Sequence, residues 1–310
     1  MKGIKILSTG MSVPDRIVTN DDLARIVDTS DEWISQRTGM KERHYLRDDE
    51  TLLQLVTKAT EQAIGAAGID KNDVGVILVA TLSADYFSPS MACLLQRELD
   101  LPQDVLAMDI NAACSGFVFG LITMQALLAS TGKEIGILVG AEALSKKLNM
   151  EDRGTCILFG DGAAAAVVKA EEGALFASVY GAMGDDAMIC CPLSDGYVHM
   201  DGKGTYLFAV EKVPQVMTQA AERAGVSIDD IDHFVLHQAN MRILESVAKK
   251  LSIPMEKVVV NIEKYGNTSG ASVGLALHDL AESGNLKRGD KVMLCAFGAG
   301  KTWGAVVLNW

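Results

Sequence analysis

Basic residues are scarce in this sequence: 28 Lys and Arg stand against 40 Asp and Glu, leaving a formal net charge of −12. That balance excludes a nucleic-acid role, because phosphate binding needs a basic surface. An acidic partner would have to be met by a local basic patch, since the overall field repels it. Cysteine is scarce too. The six, Cys93, Cys114, Cys156, Cys190, Cys191 and Cys295, include no Cys-x-x-Cys pair, so a disulfide scaffold is excluded. Such usage suits a reducing cytoplasm, where most thiols are buried small hydrophobes and an occasional one is a nucleophile. No run of about 18 apolar residues stands out, so no membrane-spanning helix is expected. The opening MKGIKILSTG lacks the apolar stretch of a signal peptide. What is present is 49% hydrophobic residues and 22% charged residues in 310, enough for a large core in one or two domains.

Short β-branched apolar runs recur along the chain and predict strands at Val74–Thr81, Val105–Ile110, Ile135–Gly140, Cys156–Phe159, His233–Leu236, Val258–Ile262 and Val292–Phe297. Between them, Thr51–Ala67, Ser115–Ser130, Val213–Ala224 and Met241–Leu251 read as helices. Strands apolar on both faces and alternating with helices predict an α/β fold whose sheets are covered. An internal echo refines this. AAGIDKNDVGVILVAT resembles RAGVSIDDIDHFVLHQ, matching Gly68 to Gly225 and Asp73 to Asp230, and TGKEIGILV resembles RGDKVMLCA, matching Gly132 to Gly289. Both pairs share an offset of 157 residues, which predicts two duplicated halves, 1–172 and 173–310, joined in the KAEEGA segment.

Three residues carry candidate chemistry. Cys114, in DINAACSGF, sits where a strand gives way to a helix. The positive end of the helix dipole there favours thiolate, and small neighbours leave room for a substrate. His237, in HFVLHQAN, ends a strand of the second half just before a helix. Asn267, in YGNTSGAS, occupies another strand-to-helix turn, although Gly-Asn-Thr-Ser is also ordinary capping chemistry. If the halves pair, the three converge on one cavity. The glycine-rich FGAGKTWG is not a phosphate loop, because Cys295 stands where a glycine is needed and GAVVLNW continues as a strand. Its backbone N–H groups could instead hold an oxyanion.

Together CSGF, HQANMRI, GNTS and FGAGKTWG, with DTSDEWISQRTGMKERH and DRGTCILFGDGAAA, resemble the β-ketoacyl-[acyl carrier protein] synthase III family of the thiolase superfamily over essentially the whole chain. The resemblance implies a thiolase-like fold of alternating helix and sheet layers. It also implies a decarboxylative Claisen condensation of an acyl-CoA primer with malonyl-carrier protein. Cys114 would take the acyl group, while His237 and Asn267 would polarise the malonyl thioester. The N–H groups of Cys114 and Ala299 would form a second oxyanion hole, with Ala299 replacing the family's usual glycine. Lys301 is a further departure, where the family has an apolar or aromatic residue. No cofactor or metal is implied, because acyl-CoA is a substrate.

The same resemblance places Trp33, Arg37, Arg153 and Asn240 on CoA. It places the acidic acyl carrier protein on Gln238, Ala239, Asn240, Met241, Arg242, Lys249 and Lys250, with one docking lysine replaced by Leu207. Phe87 and Ser88 fall in the acyl pocket. A homodimer in the cytoplasm is expected, with neither nucleic acid nor membrane as partner. Two other readings compete. One is a same-fold enzyme making quinolone or polyketide starter units. The other is an acyl-transfer protein that does not condense.

Overall fold

Nine strands in two sheets form the frame of the computed structural model, which describes residues 2–310. The first sheet contains β1 (Gly3–Ser12), β2 (Val74–Ala80), β3 (Leu106–Ile110), β4 (Ile135–Ala143) and β5 (Asp161–Glu171), arranged β1-β5-β4-β2-β3. The second contains β6 (Phe176–Ala182), β7 (His233–Leu236), β8 (Lys291–Gly298) and β9 (Thr302–Asn309), arranged β7-β8-β9-β6. Pairing is parallel at β4-β2-β3 and at β7-β8, and antiparallel elsewhere.

The labelled helices are α1 (Asp31–Thr38), α2 (Leu52–Ala67), α3 (Met91–Glu98), α4 (Gly116–Thr131), α5 (Gly202–Ala224), α6 (Met241–Leu251) and α7 (Ser272–Glu282). Strand alternation decides what each layer touches. Val76 and Leu78 of β2 face inward with Leu138, meeting Phe117, Leu121 and Met124 of α4 and Val273 and Leu277 of α7. Val235, Leu294 and Val306 close the same core from the second sheet. Ile77 and Val79 face outward onto Leu52, Leu55 and Val56 of α2 and Leu95 of α3. On the far side, α5 and α6 cover Phe234, Met293 and Val307. The layers therefore run helix, sheet, helix, sheet, helix, as the sequence predicts. Full burial of a side chain such as Phe117 contributes roughly 2–3 kcal/mol.

The sequence echo has a local physical counterpart. Gly68 and Gly225 both end helices in the left-handed conformation (φ 63° and 71°). Each is followed by a short 3-10 turn, Lys71–Asp73 or Ile228–Asp230, and then by a strand of its sheet. Gly132 and Gly289 likewise both take positive φ.

Several local expectations are corrected. Cys156–Phe159 is no strand: Cys156 ends the one-turn helix Arg153–Cys156, and the strand is β5, whose DGAAAAVVKAE composition favours helix in isolation. Tertiary packing overrides that preference, because Ala163–Ala166 are all buried and their small side chains let α2 and α7 approach the sheet from opposite faces. Val258–Ile262 makes only an isolated bridge from Val258 to Phe234 before Ile262–Tyr265 turns helical. α5 begins at Gly202, well before Val213, because Asp201 caps it by accepting from the N–H groups of Lys203 and Gly204. One segment, Ala113–Thr131, is long and apolar enough to cross a membrane, contrary to the expectation that none is. Its apolarity also has an internal use, since Phe117, Val118, Leu121, Met124 and Leu128 fill the space between the sheets.

Candidate active site

The candidate nucleophile stands at a forced bend. β3 ends at Ile110, and one 3-10 turn, Ala113–Ser115, leads into α4 with Ala113 at φ 46°. Gly298, at the end of β8, lies so close that a Cβ there would fall 2.9 Å from the Cys114 backbone nitrogen. That approach carries the Ala299–Lys301 turn alongside the thiol. Cys114 is only 7% exposed. Burial pushes its thiol up to about 11, Glu142 acts in the same direction, and a hydrogen bond with Ser269 opposes both. Desolvation thus works against the thiolate that the dipole of α4 favours.

His237 follows β7, and its backbone N–H donates to the Cys295 carbonyl at 2.8 Å. Burial holds the imidazole down at about 3, so the ring is neutral at working pH. Its Nδ1 lies 3.0 Å from Ser272 Oγ, which already accepts from the Gln238 N–H at 2.8 Å. The Ser272 hydroxyl is thus free to donate to Nδ1, which leaves the ring proton on Nε2. The other tautomer would strand a buried hydroxyl proton, at a cost of about 1–3 kcal/mol. Phe297 braces the ring edge-on, with centroids 5.4 Å apart.

Asn267 is fixed by its backbone and by one side-chain oxygen. Its N–H donates to Leu158 O (2.9 Å) and its carbonyl accepts from Gly160 N–H (3.0 Å), tying the turn to the chain preceding β5. Oδ1 accepts from the Ser269 N–H at 2.9 Å, which leaves the Nδ2 amide to donate into open space. That space is a cavity of about 580 Å³ lined by Cys114, His237, Asn267 and Phe297 at one end. Trp33, Arg37, Arg153 and Asn240 line its other reaches. The three candidate residues thus line one end of the same cavity, with two neutral hydrogen-bond donors beside a thiol.

At the outer end, the Arg153 guanidinium lies 4.9 Å from the Trp33 ring centroid and that of Arg37 lies 5.8 Å away. An aromatic ring slotted between Trp33 and Arg153 needs roughly twice a van der Waals spacing, about 7 Å, so Arg153 must swing aside. It is held meanwhile by a 2.7 Å hydrogen bond to Asp28 O. Asn240 caps α6: its Oδ1 accepts from Arg242 N–H (2.9 Å) and its Nδ2 donates to Arg37 O (3.1 Å). Its side chain shapes the passage, with both ends already committed.

The docking segment needs revision. Gln238 is buried, donates to Leu236 O and Val259 O, and accepts from Asn261 N–H, so it has no surface to offer. Ala239 forms part of the cavity wall. Met241 is half-buried and packs so tightly under Gly39 that a Cβ there would come within 2.6 Å of it. Arg242 and Lys249 are exposed and make no ion pair among the described residues. Lys250 is exposed and donates to Val210 O at 3.3 Å. Leu207 is half-exposed on α5.

A second cavity of about 660 Å³ opens on the other side of Cys114, lined by Leu82, Ser83, Phe87, Leu144, Cys191 and Ala299 among others. Phe87 lines it and is 99% exposed, while its neighbour Ser88 does not line it. Ala299 itself avoids the left-handed region, which Gly300 (φ 75°) and Lys301 (φ 47°) occupy, so its methyl adds no backbone strain. The Lys301 ammonium is paired with Asp185 at 2.7 Å and faces a separate hollow. Sequence reasoning missed Glu142, Ser269 and Ser272. Glu142 alone left a signal, as the one charge in the apolar run IGILVGAEAL.

Comparison with known proteins bears on the family and the fold. The profile for 3-oxoacyl-[acyl-carrier-protein (ACP)] synthase III matches residues 108–184, and that for its C-terminal part matches 221–310. A β-ketoacyl-[acyl-carrier-protein] synthase III from Clostridium beijerinckii is 43% identical over 325 aligned positions, covering 100% of both chains. The crystal structure of 3-oxoacyl-[acyl-carrier-protein] synthase III from Aquifex aeolicus superimposes with a TM-score of 0.95 at 42% identity, over 99% of this chain and all of that one. The priming β-ketosynthase of the R1128 polyketide biosynthetic pathway superimposes with a TM-score of 0.94 at 30% identity, over 99% of this chain and 96% of that one.

Proposed function

The chain belongs to the β-ketoacyl-[acyl-carrier-protein] synthase III family and is a condensing acyltransferase that initiates fatty-acid synthesis, and from that premise we propose how its residues divide the reaction. Acyl-CoA enters past Trp33, Arg37 and Arg153, and its acyl group passes to Cys114 with loss of CoA. Malonyl-carrier protein then takes the same passage. The His237 Nε2–H and the Asn267 amide hold its thioester oxygen while CO2 departs. The resulting enolate carbon attacks the acyl-cysteine, whose oxyanion is held by the N–H groups of Cys114 and Ala299. Collapse breaks the bond to Cys114 Sγ and releases 3-oxoacyl-carrier protein, and the departing thiolate takes a proton from solvent to restore the thiol. Splitting the work through a covalent thioester keeps the acyl group activated without a cofactor.

The observation that carries this division is the neutrality of both donors beside the thiol. A neutral imidazole and a carboxamide whose oxygen is already engaged can only donate outward, which suits a developing enolate. Purified protein given malonyl-carrier protein is expected to release CO2 and form 3-oxoacyl-carrier protein in a primer-dependent way, with acetyl-CoA or a branched acyl-CoA as primer. Acylation of Cys114 without consumption of malonyl-carrier protein would refute the assignment in favour of acyl transfer alone.

We propose further that the halves 1–172 and 173–310 are copies of one unit, acting together in a cytoplasmic homodimer. β3 supports the dimer: it is a sheet-edge strand whose five residues are all only half-buried, leaving its outer edge ready to pair. For carrier-protein docking, Arg242 and Lys249 are one heptad apart on the exposed face of α6 and, with the exposed Glu245 between them, present two cations on an acidic protein. The double charge reversal Arg242→Glu with Lys249→Glu is expected to raise the KM for malonyl-carrier protein about 10-fold or more and leave acyl transfer from CoA unchanged. Steady-state kinetics with each substrate varied in turn checks this. An unchanged carrier-protein KM would remove α6 from the docking surface.

A further inference from the structure

Glu142, the last residue but one of β4, is wholly buried, and no cation is among its hydrogen-bond partners. A charge placed there is held by neutral donors alone. Its Oε2 accepts from Ser83 Oγ (2.5 Å) and from Leu82 N–H (3.2 Å), both in the segment that follows β2. Ser83 Oγ is itself engaged by the Ala143 N–H at 2.8 Å, so its own proton points at the carboxylate. The other oxygen, Oε1, accepts from Ser269 Oγ at 3.3 Å, in the turn that follows Asn267. Gly270 packs so close that a Cβ there would fall 3.0 Å from Oε1. One carboxylate thus joins the end of the first sheet to the turn that carries Asn267.

That turn needs holding. Ser269 takes φ 46°, the left-handed region, which a residue with a Cβ occupies only where its surroundings over-determine it. Its N–H is the donor that fixes Asn267 Oδ1, at 2.9 Å. A terminal amide has a broad, two-fold torsion, so nothing in Asn267 itself decides which end faces the cavity. If Ser269 leaves the left-handed region, its N–H swings away. The amide is then free to turn its oxygen inward, where a carbonyl dipole opposes a developing enolate. Resting on the reading of Asn267 as an enolate donor, we propose that Glu142 is a positioning residue for decarboxylation: it holds Ser269, and Ser269 aims the Asn267 amide. Glu142 lines neither cavity at Cys114, so it acts without touching substrate.

The test compares CO2 release from malonyl-carrier protein with CoA release from acyl-CoA. Burial holds the Glu142 carboxyl at about 7, so both rates are read at about pH 8, where it is ionised. The proteins are wild type, Glu142→Gln, Ser269→Ala, Asn267→Ala, and the two double variants that join Asn267→Ala to each of the others. Glu142→Gln and Ser269→Ala should each lower the kcat for CO2 release about 10- to 50-fold. The KM for malonyl-carrier protein and the rate of CoA release should stay within about 3-fold of wild type. A group that acts through Asn267 has nothing left to aim once that amide is gone. Each double variant should therefore release CO2 within about 3-fold of Asn267→Ala, whereas independent effects would multiply. A further loss of about 10-fold in the double variants overturns the proposal. So does a fall in CoA release as large as that in CO2 release, which makes Glu142 a brace for the whole site. Ser269→Ala keeps the carboxyl and its other partners, so it reports even if Glu142→Gln fails to fold. Asn267→Ala separates the two levels. If it releases CO2 as fast as wild type, the donor reading of Asn267 fails and the proposal with it. If it is slow while Ser269→Ala and Glu142→Gln match wild type, only the positioning proposal fails.

Discussion

Cys114→Ala is expected to abolish acyl-enzyme formation and to lower condensation by roughly 10⁴-fold or more. The sulfur is the atom to which the acyl group is attached; Cys190 and Cys191 line the second cavity with it, but neither lines the cavity that holds His237 and Asn267. Cys295 is buried beside β7 with its thiol pushed far up by desolvation, and Cys156 is buried against Arg43 and Tyr45 in another cluster. Cys93 is exposed on α3, outside both cavities that meet at Cys114. Intact-mass measurement after incubation with acyl-CoA should therefore show one acyl group on wild type and none on the variant. The substitution leaves His237, Asn267 and the Ala299 N–H in place, so slow release of CO2 from malonyl-carrier protein should persist. Stoichiometric acylation of Cys114→Ala would move the nucleophile elsewhere and dissolve the proposed division of labour.

The parts of this site that were legible in the sequence are those where one residue must serve two scales at once. Cys114 and His237 each sit at a strand-to-helix turn, whereas Asn267 sits between the short helix Ile262–Tyr265 and α7, and the small residues needed to build such turns are visible around all three. Strands buried on both faces, such as Val74–Ala80, announce themselves as continuous apolar runs. Legibility fails where tertiary context reverses local preference. The alanines of β5 favour helix alone and become strand because two helices close on them. Gln238 and Asn240 look like polar surface beside Arg242, yet one is consumed in the interior and the other in capping α6. Hydroxyl roles were invisible, because nothing in GNTSGAS distinguishes Ser269, which donates to Glu142, from Ser272, which meets His237.

His237→Ala and Asn267→Ala are each expected to slow condensation by about 100- to 1,000-fold while costing acyl transfer less than about 10-fold. Each removes one preorganised donor from the malonyl thioester oxygen, where charge develops only as CO2 leaves. Neither removes the thiol or its own oxyanion donors. Because burial holds His237 at about 3, the imidazole stays neutral from pH 5 to 9, and condensation should show no limb from its protonation in that range. Folding feels the same shift. A histidine with a folded pKa below its unfolded value of 6.5 leaves the unfolded chain binding the extra proton. Stability is thus intact above about pH 6.5 and declines as pH falls toward 3, by on the order of 5 kcal/mol in all. His237→Gln, which has no proton to take up, should lose less stability across that window, as read from urea midpoints at matched pH. Equal loss of acyl transfer and condensation in both alanine variants, measured as CoA release against CO2 release, would mean that His237 and Asn267 serve the cysteine rather than the enolate.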